Sequence, residues 1–335
     1  MKRTMRIFIL FIGLSVLSSC SDNRWDVDIS ETPEQVTISN YAEALYTSSE
    51  ENFYAELPRL REEYPFFYSV GDSTTWLGYR KDSELKALYQ DSKVAFTQEV
   101  YEDITNQLRD GFKRFGYHFP EEQPVTLFFY LDIPTQFSLL DDGVEYLDTI
   151  HSVFVRLDNY LGLQHPMYRQ AMLPQYVTRR FTPEHIPGDV FEELAYDILP
   201  NEGEAPALID DMVRSGIARY FEIAMLPKIP DSLLFEFTQD EIEFCQQNEV
   251  NIWTYFVQQQ LLFDTRLDTK QRFVMEAPFS KFGTDFDQQS PGRIAEWIGY
   301  QIVSSYMDEH PDMSLNQLVQ TTDYQKLFRE SKYKP

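Results

Sequence analysis

Apolar residues follow two rhythms along this chain. Phe53, Leu57 and Leu60 recur at helical spacing, which predicts a helix over about Glu50 to Glu63 that breaks at Pro65. Residues 82–115 continue the period. Leu85, Leu88 and Tyr89 form one face behind a cap at Asp82 or Ser83. Val94, Phe96, Val100, Ile104 and Leu108 follow an expected kink near Asp91. The rhythm then changes. PVTLFFYLD (124–132) and SVFVRLD (152–158) are rich in β-branched and aromatic residues and read as strands, with a hairpin or short third strand around Val144 to Leu147. After Gly162 the helical period returns, with helices expected over 188–199, 207–226, 239–247, 249–263, 291–309 and 314–320. Two or three strands followed by a run of helices predict an α+β fold, mainly α-helical, in a single domain over 37–335 with a small sheet toward its N-terminal side.

The first twenty residues do not fit that domain. MKRTMR is basic, IFILFIGLSVL is apolar but too short to span a bilayer, and LSSC places small residues before Cys20. The pattern resembles a bacterial lipoprotein signal, the alternative being an ordinary signal peptide that happens to hold a cysteine. On the lipoprotein reading, residues 1–19 are removed and Cys20 is lipidated, and the polar, acidic stretch over 20–36 is a tether. Removing Lys2, Arg3 and Arg6 takes the formal charge from −25 to −28. So acidic a surface repels nucleic acid and anionic headgroups, which leaves the lipid at Cys20 as the expected membrane contact. Cys245 is the one other cysteine, so no intrachain disulfide can form, and IEFCQQ reads as a buried, inert thiol.

Candidate chemistry is sparse. No two of the five histidines are three or four apart, so no helix turn offers a pair to one metal ion. His185 and Asp189 have that spacing, but Pro187 and Gly188 between them mark the start of a helix. Glu192 and Glu193 are adjacent and point about 100° apart on a helix. Like Asp210 and Asp211, they are expected to complement the dipole near a helix start. The chain has no P-loop and no G-x-S-x-G elbow. Ser215 and Gly216 read as a small pair for close helix packing. In SPGRIAEWIGYQIVSSYM, Ser290 is the expected cap, and Ile294, Trp297, Ile298, Gln301, Ile302 and Tyr306 share a face. Gly299 is mid-helix, either for packing or as backbone left bare for a ligand. No cofactor is indicated.

Five stretches taken together resemble a known family: LSSC, LDNYLG (157–162), PQYVTRRFTPEHIPGDV (174–190), LIDDMVRSGIARYF (208–221) and SPGRIAEWIGYQIVSSYM (290–307). In this order they are similar to the gliding-motility lipoprotein family GldB of Bacteroidetes, over most of the chain. That family is distantly similar to predicted zinc peptidases of zincin-like fold, in which one helix carries H-E-x-x-H and a later helix supplies an acidic ligand before a glycine. Laid on this chain, the first histidine position is Glu192, the glutamate is Glu193, the second histidine is Tyr196 and the later ligand is Ser215, ahead of Gly216. Only Glu193 keeps its type, and a base without an ion has no water to activate. The resemblance therefore implies a degenerate zincin-like domain without metal or catalysis. It would be a lipoprotein that binds protein components of the gliding or secretion machinery. The alternative is an envelope zinc-dependent peptidase with unconventional ligands. Ser21 after the lipidated cysteine is compatible with the outer membrane rather than the inner one.

Overall fold

A computed structural model describes residues 24–135, 139–140, 143–201 and 205–335. Cys20 lies outside these residues. Strand β1 (Val36–Asn40) runs directly into α1 (Tyr41–Thr47), whose start is capped by Asn40. Helices α2 (Phe53–Glu63), α3 (Ser73–Lys81) and α4 (Ser83–Ala95) follow. The expected kink at Asp91 is absent. The chain breaks instead after Ala95, where Thr97 caps the long α5 (Gln98–His118). Asp82 supplies the cap of α4, accepting from two backbone N–H groups.

Strands β2 (Val125–Tyr130), β3 (Val144–Leu147) and β4 (Ser152–Arg156) complete a sheet of order β1-β2-β4-β3. The first two pairings are parallel, and β3 is an antiparallel edge. Period two divides the side chains. Leu127, Phe129, Val153 and Val155 are fully buried on one face. There Tyr101 of α5 meets Phe129, with ring centroids 5.5 Å apart. Phe128 and Phe154 occupy the other face, packed with Phe66 and Phe67 from the turn after α2.

The second half is helical. Two short helices, α6 (Pro166–Gln170) and α7 (Gln175–Thr178), lead to α8 (Ile186–Ile198) and α9 (Leu208–Met225). After α10 (Asp231–Leu234), the two expected helices over 239–263 prove to be one, α11 (Gln239–Gln258). Asn248 does not break it, because its side chain donates to Phe244 O one turn back. The chain ends with α12 (Leu267–Phe273), α13 (Ile294–Glu309), α14 (Leu315–Val319) and α15 (Tyr324–Ser331). Ser290 does not cap α13. Arg293 precedes that helix with a left-handed backbone, and the Ser290 hydroxyl donates to Ser280 O and Asp287 O instead.

Two crossings set the architecture. Gly111 of α5 makes room for Phe191 of α8, since a Cβ there would fall 2.4 Å from the ring. At the crossing of α9 and α13, a Cβ on Gly299 would lie 1.7 Å from Met212 O, and one on Gly216 would lie 2.3 Å from the Gly299 backbone. The two helices touch main chain to main chain, so both glycines serve packing and neither is left bare for a ligand. Buried apolar residues from Trp25 to Leu327 form one contiguous cluster, which includes Cys245. No helix of the described residues is long and apolar enough to cross a membrane.

Candidate functional site

The tight α9–α13 crossing places a long side chain between three helices. Arg219 lies one turn beyond Gly216 on α9 and is 2% exposed. Its guanidinium uses all three nitrogens. Nη1 donates to Glu222 Oε2 at 2.8 Å and Nη2 to Glu192 Oε1 of α8 at 2.7 Å, while Nε donates to Glu296 Oε1 of α13. A second guanidinium extends the network. Arg293 Nη2 donates to Glu236 Oε2 at 2.6 Å, and its Nη1 lies 3.2 Å from Glu296. Arg293 and Glu236 both hold left-handed backbones, with φ of 54° and 53°. Such a conformation disfavours residues that carry a Cβ, and here the pair of them is joined by a charge-assisted bond. Arg180 approaches Glu236 and Glu276 at 3.7 Å. Asp189, one turn before Glu192, accepts from the Tyr160 hydroxyl at 2.6 Å.

Carboxylates outnumber the guanidiniums that bind them, and the acidities follow. Burial pushes Glu222 and Asp189 well above the usual carboxylate range. Arg219 opposes the shift at Glu222, whereas Glu236 adds to it at Asp189. Burial likewise lifts Glu192 to about 7 against the pull of Arg219. Glu236 goes the other way, to about 2, because Arg293, Arg180 and Arg219 together outweigh its burial. Two of the carboxyls, Glu222 and Asp189, are thus natural places for protons at neutral pH.

Carboxylate oxygens of Asp189, Glu192 and Glu236 lie within 4.8 Å of one another. The set does not fit a zinc site. It offers oxygen only, with no imidazole or thiolate, and Glu192 and Glu236 already accept from guanidinium groups.

The four motif positions separate in space. Glu192 enters the charge network, so its partner is Arg219 and not the helix dipole. Tyr196 lies beside it, beneath the Arg214 guanidinium at 4.9 Å. Glu193 turns to the sheet, where its Oε1 accepts from Tyr146 N on the edge strand β3 at 3.2 Å. It also lines a cavity of about 560 Å³ with Tyr130, Asp132, Glu145 and Arg156. Ser215 donates back to Asp211 O of its own helix. Asp210 accepts from Ala207 N as part of the α9 start, and Asp211 pairs with Lys270 at 2.9 Å. Arg219, Glu222, Glu236, Arg293 and Glu296 were not legible as a site. The one available signal was an arginine three residues from both Gly216 and Glu222 on an otherwise apolar stripe.

The family model described as gliding motility protein GldB matches residues 22–335. Neither the curated proteins nor the solved structures give a match. The family match spans nearly the whole chain, and the chain belongs to that family of gliding-motility lipoproteins of the cell envelope.

Proposed function

We propose that this member of the GldB family is a non-catalytic lipoprotein, anchored through Cys20 and facing the periplasm, with the outer membrane favoured over the inner one by Ser21. It acts in gliding motility, or in secretion coupled to it, by contacts with other envelope proteins. Its helical half is a zincin-like scaffold in which a guanidinium occupies the place of a metal ion.

The observation that carries this reading is Arg219. It binds Glu192, the position of the first histidine, together with Glu222 and Glu296. A fixed internal cation engages one oxygen of each of these three carboxylates, so a metal ion placed there would have to displace it. The placement of Glu193 agrees, because its carboxylate is engaged by a backbone N–H of the edge strand.

The test is affinity capture of the tagged, full-length chain from gently solubilised envelopes, run beside complementation by a Glu193→Gln variant in a gliding host that lacks the protein. Stoichiometric recovery of a motility or secretion component, with gliding restored by Glu193→Gln, supports the reading. The peptidase alternative rests on the fold analogy and on Glu193. It would be favoured by loss of gliding in a folded Glu193→Gln protein together with stoichiometric metal in the purified chain.

A further inference from the structure

The stretch over 20–36 has the composition of a tether, yet from Arg24 onward it is fastened to the body. Arg24 closes the end of α13 and the turn beyond it. Its Nη1 donates to Met307 O at 3.2 Å, and its Nη2 donates to Pro311 O at 2.9 Å and Met313 O at 3.0 Å. The last carbonyls of a helix have no partner within it, and a guanidinium is well suited to them by charge and by donor number. The same guanidinium lies 4.7 Å from the ring of Trp25. Trp25 is buried edge-on against His118 of α5, with centroids 5.4 Å apart, and against Tyr220 of α9 at 5.6 Å. Asp26 continues the attachment, 3.7 Å from Arg114.

We infer that the face bearing Arg24 and Trp25 lies directly against a lipid surface, so that the domain sits on the membrane in one orientation. The inference rests on lipidation at Cys20, proposed above. Three residues separate Cys20 from Arg24. Four extended Cα steps reach at most ~14 Å. The headgroup layer alone takes up roughly 5–7 Å of that distance. The Arg24 clasp is therefore held no more than about 7–9 Å from the headgroups, together with the end of α13 that it closes. Asp308, Glu309 and Asp312 are exposed at that end. Their charge opposes an anionic surface, so the partner that fits is zwitterionic lipid, approached through the short covalent link and not through charge attraction.

The test uses the full-length, lipidated chain in phosphatidylethanolamine-rich vesicles, with a fluorophore at Asp312→Cys and a short-range quencher on the headgroups. Mass analysis of the N-terminal peptide first establishes the lipid, so failure of lipidation is seen separately. The measurement is then repeated with ten Gly/Ser residues inserted between 23 and 24. The insert adds an r.m.s. reach of about 17 Å and leaves the clasp and the lipid in place. We expect strong quenching in the original chain, falling by about half or more on insertion. Weak quenching in the original chain, or quenching that the insertion does not change, would overturn the inference. A Trp25→Ala variant of the original length is expected to behave like the insertion. The insertion keeps the test decisive if that variant fails to fold.

Discussion

Arg219 Nη2 and Glu192 Oε1 meet at 2.7 Å, joining α9 to α8 across 27 residues of sequence. The bond is one of three that the same guanidinium makes to glutamates from three helices. Replacing Arg219 by Leu leaves the buried Glu222 and Glu296 and the half-buried Glu192 without their cation. The expected loss is about 3–5 kcal/mol in chemical denaturation, because a broken buried pair leaves uncompensated charge behind. A loss below about 1 kcal/mol would mean that the network contributes little to holding the helices together.

The helix crossing makes a sharper steric prediction. Gly299→Ala forces a methyl to 1.7 Å from Met212 O, where only backbone movement can make room. The expected cost is at least about 3 kcal/mol, at or beyond the upper end of ordinary overpacking. Gly78→Ala is the contrast. Gly78 lies within α3, and a methyl added there would meet nothing within 4 Å, so alanine should stabilise by roughly 0.5–1 kcal/mol. Thermal melts of the two variants should move in opposite directions.

The charge network also dictates a pH dependence. Glu192 is raised to about 7, so the stability it contributes is complete below its ordinary value near 4.5 and is lost as the pH rises through 7. Glu222 and Asp189 act in the same direction. Glu236 is lowered to about 2, so its contribution is present above 4.5 and is lost as the pH falls toward 2. The network is therefore most favourable near pH 4.5. Glu192→Gln keeps an oxygen for Arg219 and removes the titration. Urea midpoints measured from pH 4.5 to 8 should fall less steeply in that variant than in the parent, and parallel curves would show that Glu192 does not titrate in this window.

Glu193 closes an outward-facing N–H of the edge strand β3. Glu193→Gln retains the acceptor and should leave stability unchanged. Glu193→Ala should cost about 1 kcal/mol, the worth of a hydrogen bond, and should promote self-association along the bared edge. Sedimentation of the two variants side by side would separate these outcomes.

What the sequence disclosed depended on how local the cause was. Strands β2 and β4 were legible because their β-branched and aromatic residues carry the signal within nine residues, and Ser215-Gly216 was legible as a packing pair because small residues inside a helix have few other uses. Strand β1 was missed. VTISN is short, follows an acidic run, and becomes a strand through its parallel pairing with β2, almost ninety residues away. The cap expected at Ser290 failed because Arg293 takes a left-handed turn, held there by an ion pair to Glu236 that local sequence does not encode. The charge network was hidden for the same reason. Each of its acids looks like ordinary surface charge until Arg219 is seen between them.

The Arg24 clasp has a consequence for how the chain is made. Its acceptors on Met307, Pro311 and Met313 lie 283 to 289 positions downstream. A chain exported from its N-terminus presents Arg24 and Trp25 long before α13 and the turn after it have crossed. On the lipidation proposed at Cys20, the enzymes that cleave and acylate it act in that interval. Closure of the clasp waits until the chain through Met313 has emerged, and on the lipidation proposed at Cys20 it follows attachment of the lipid.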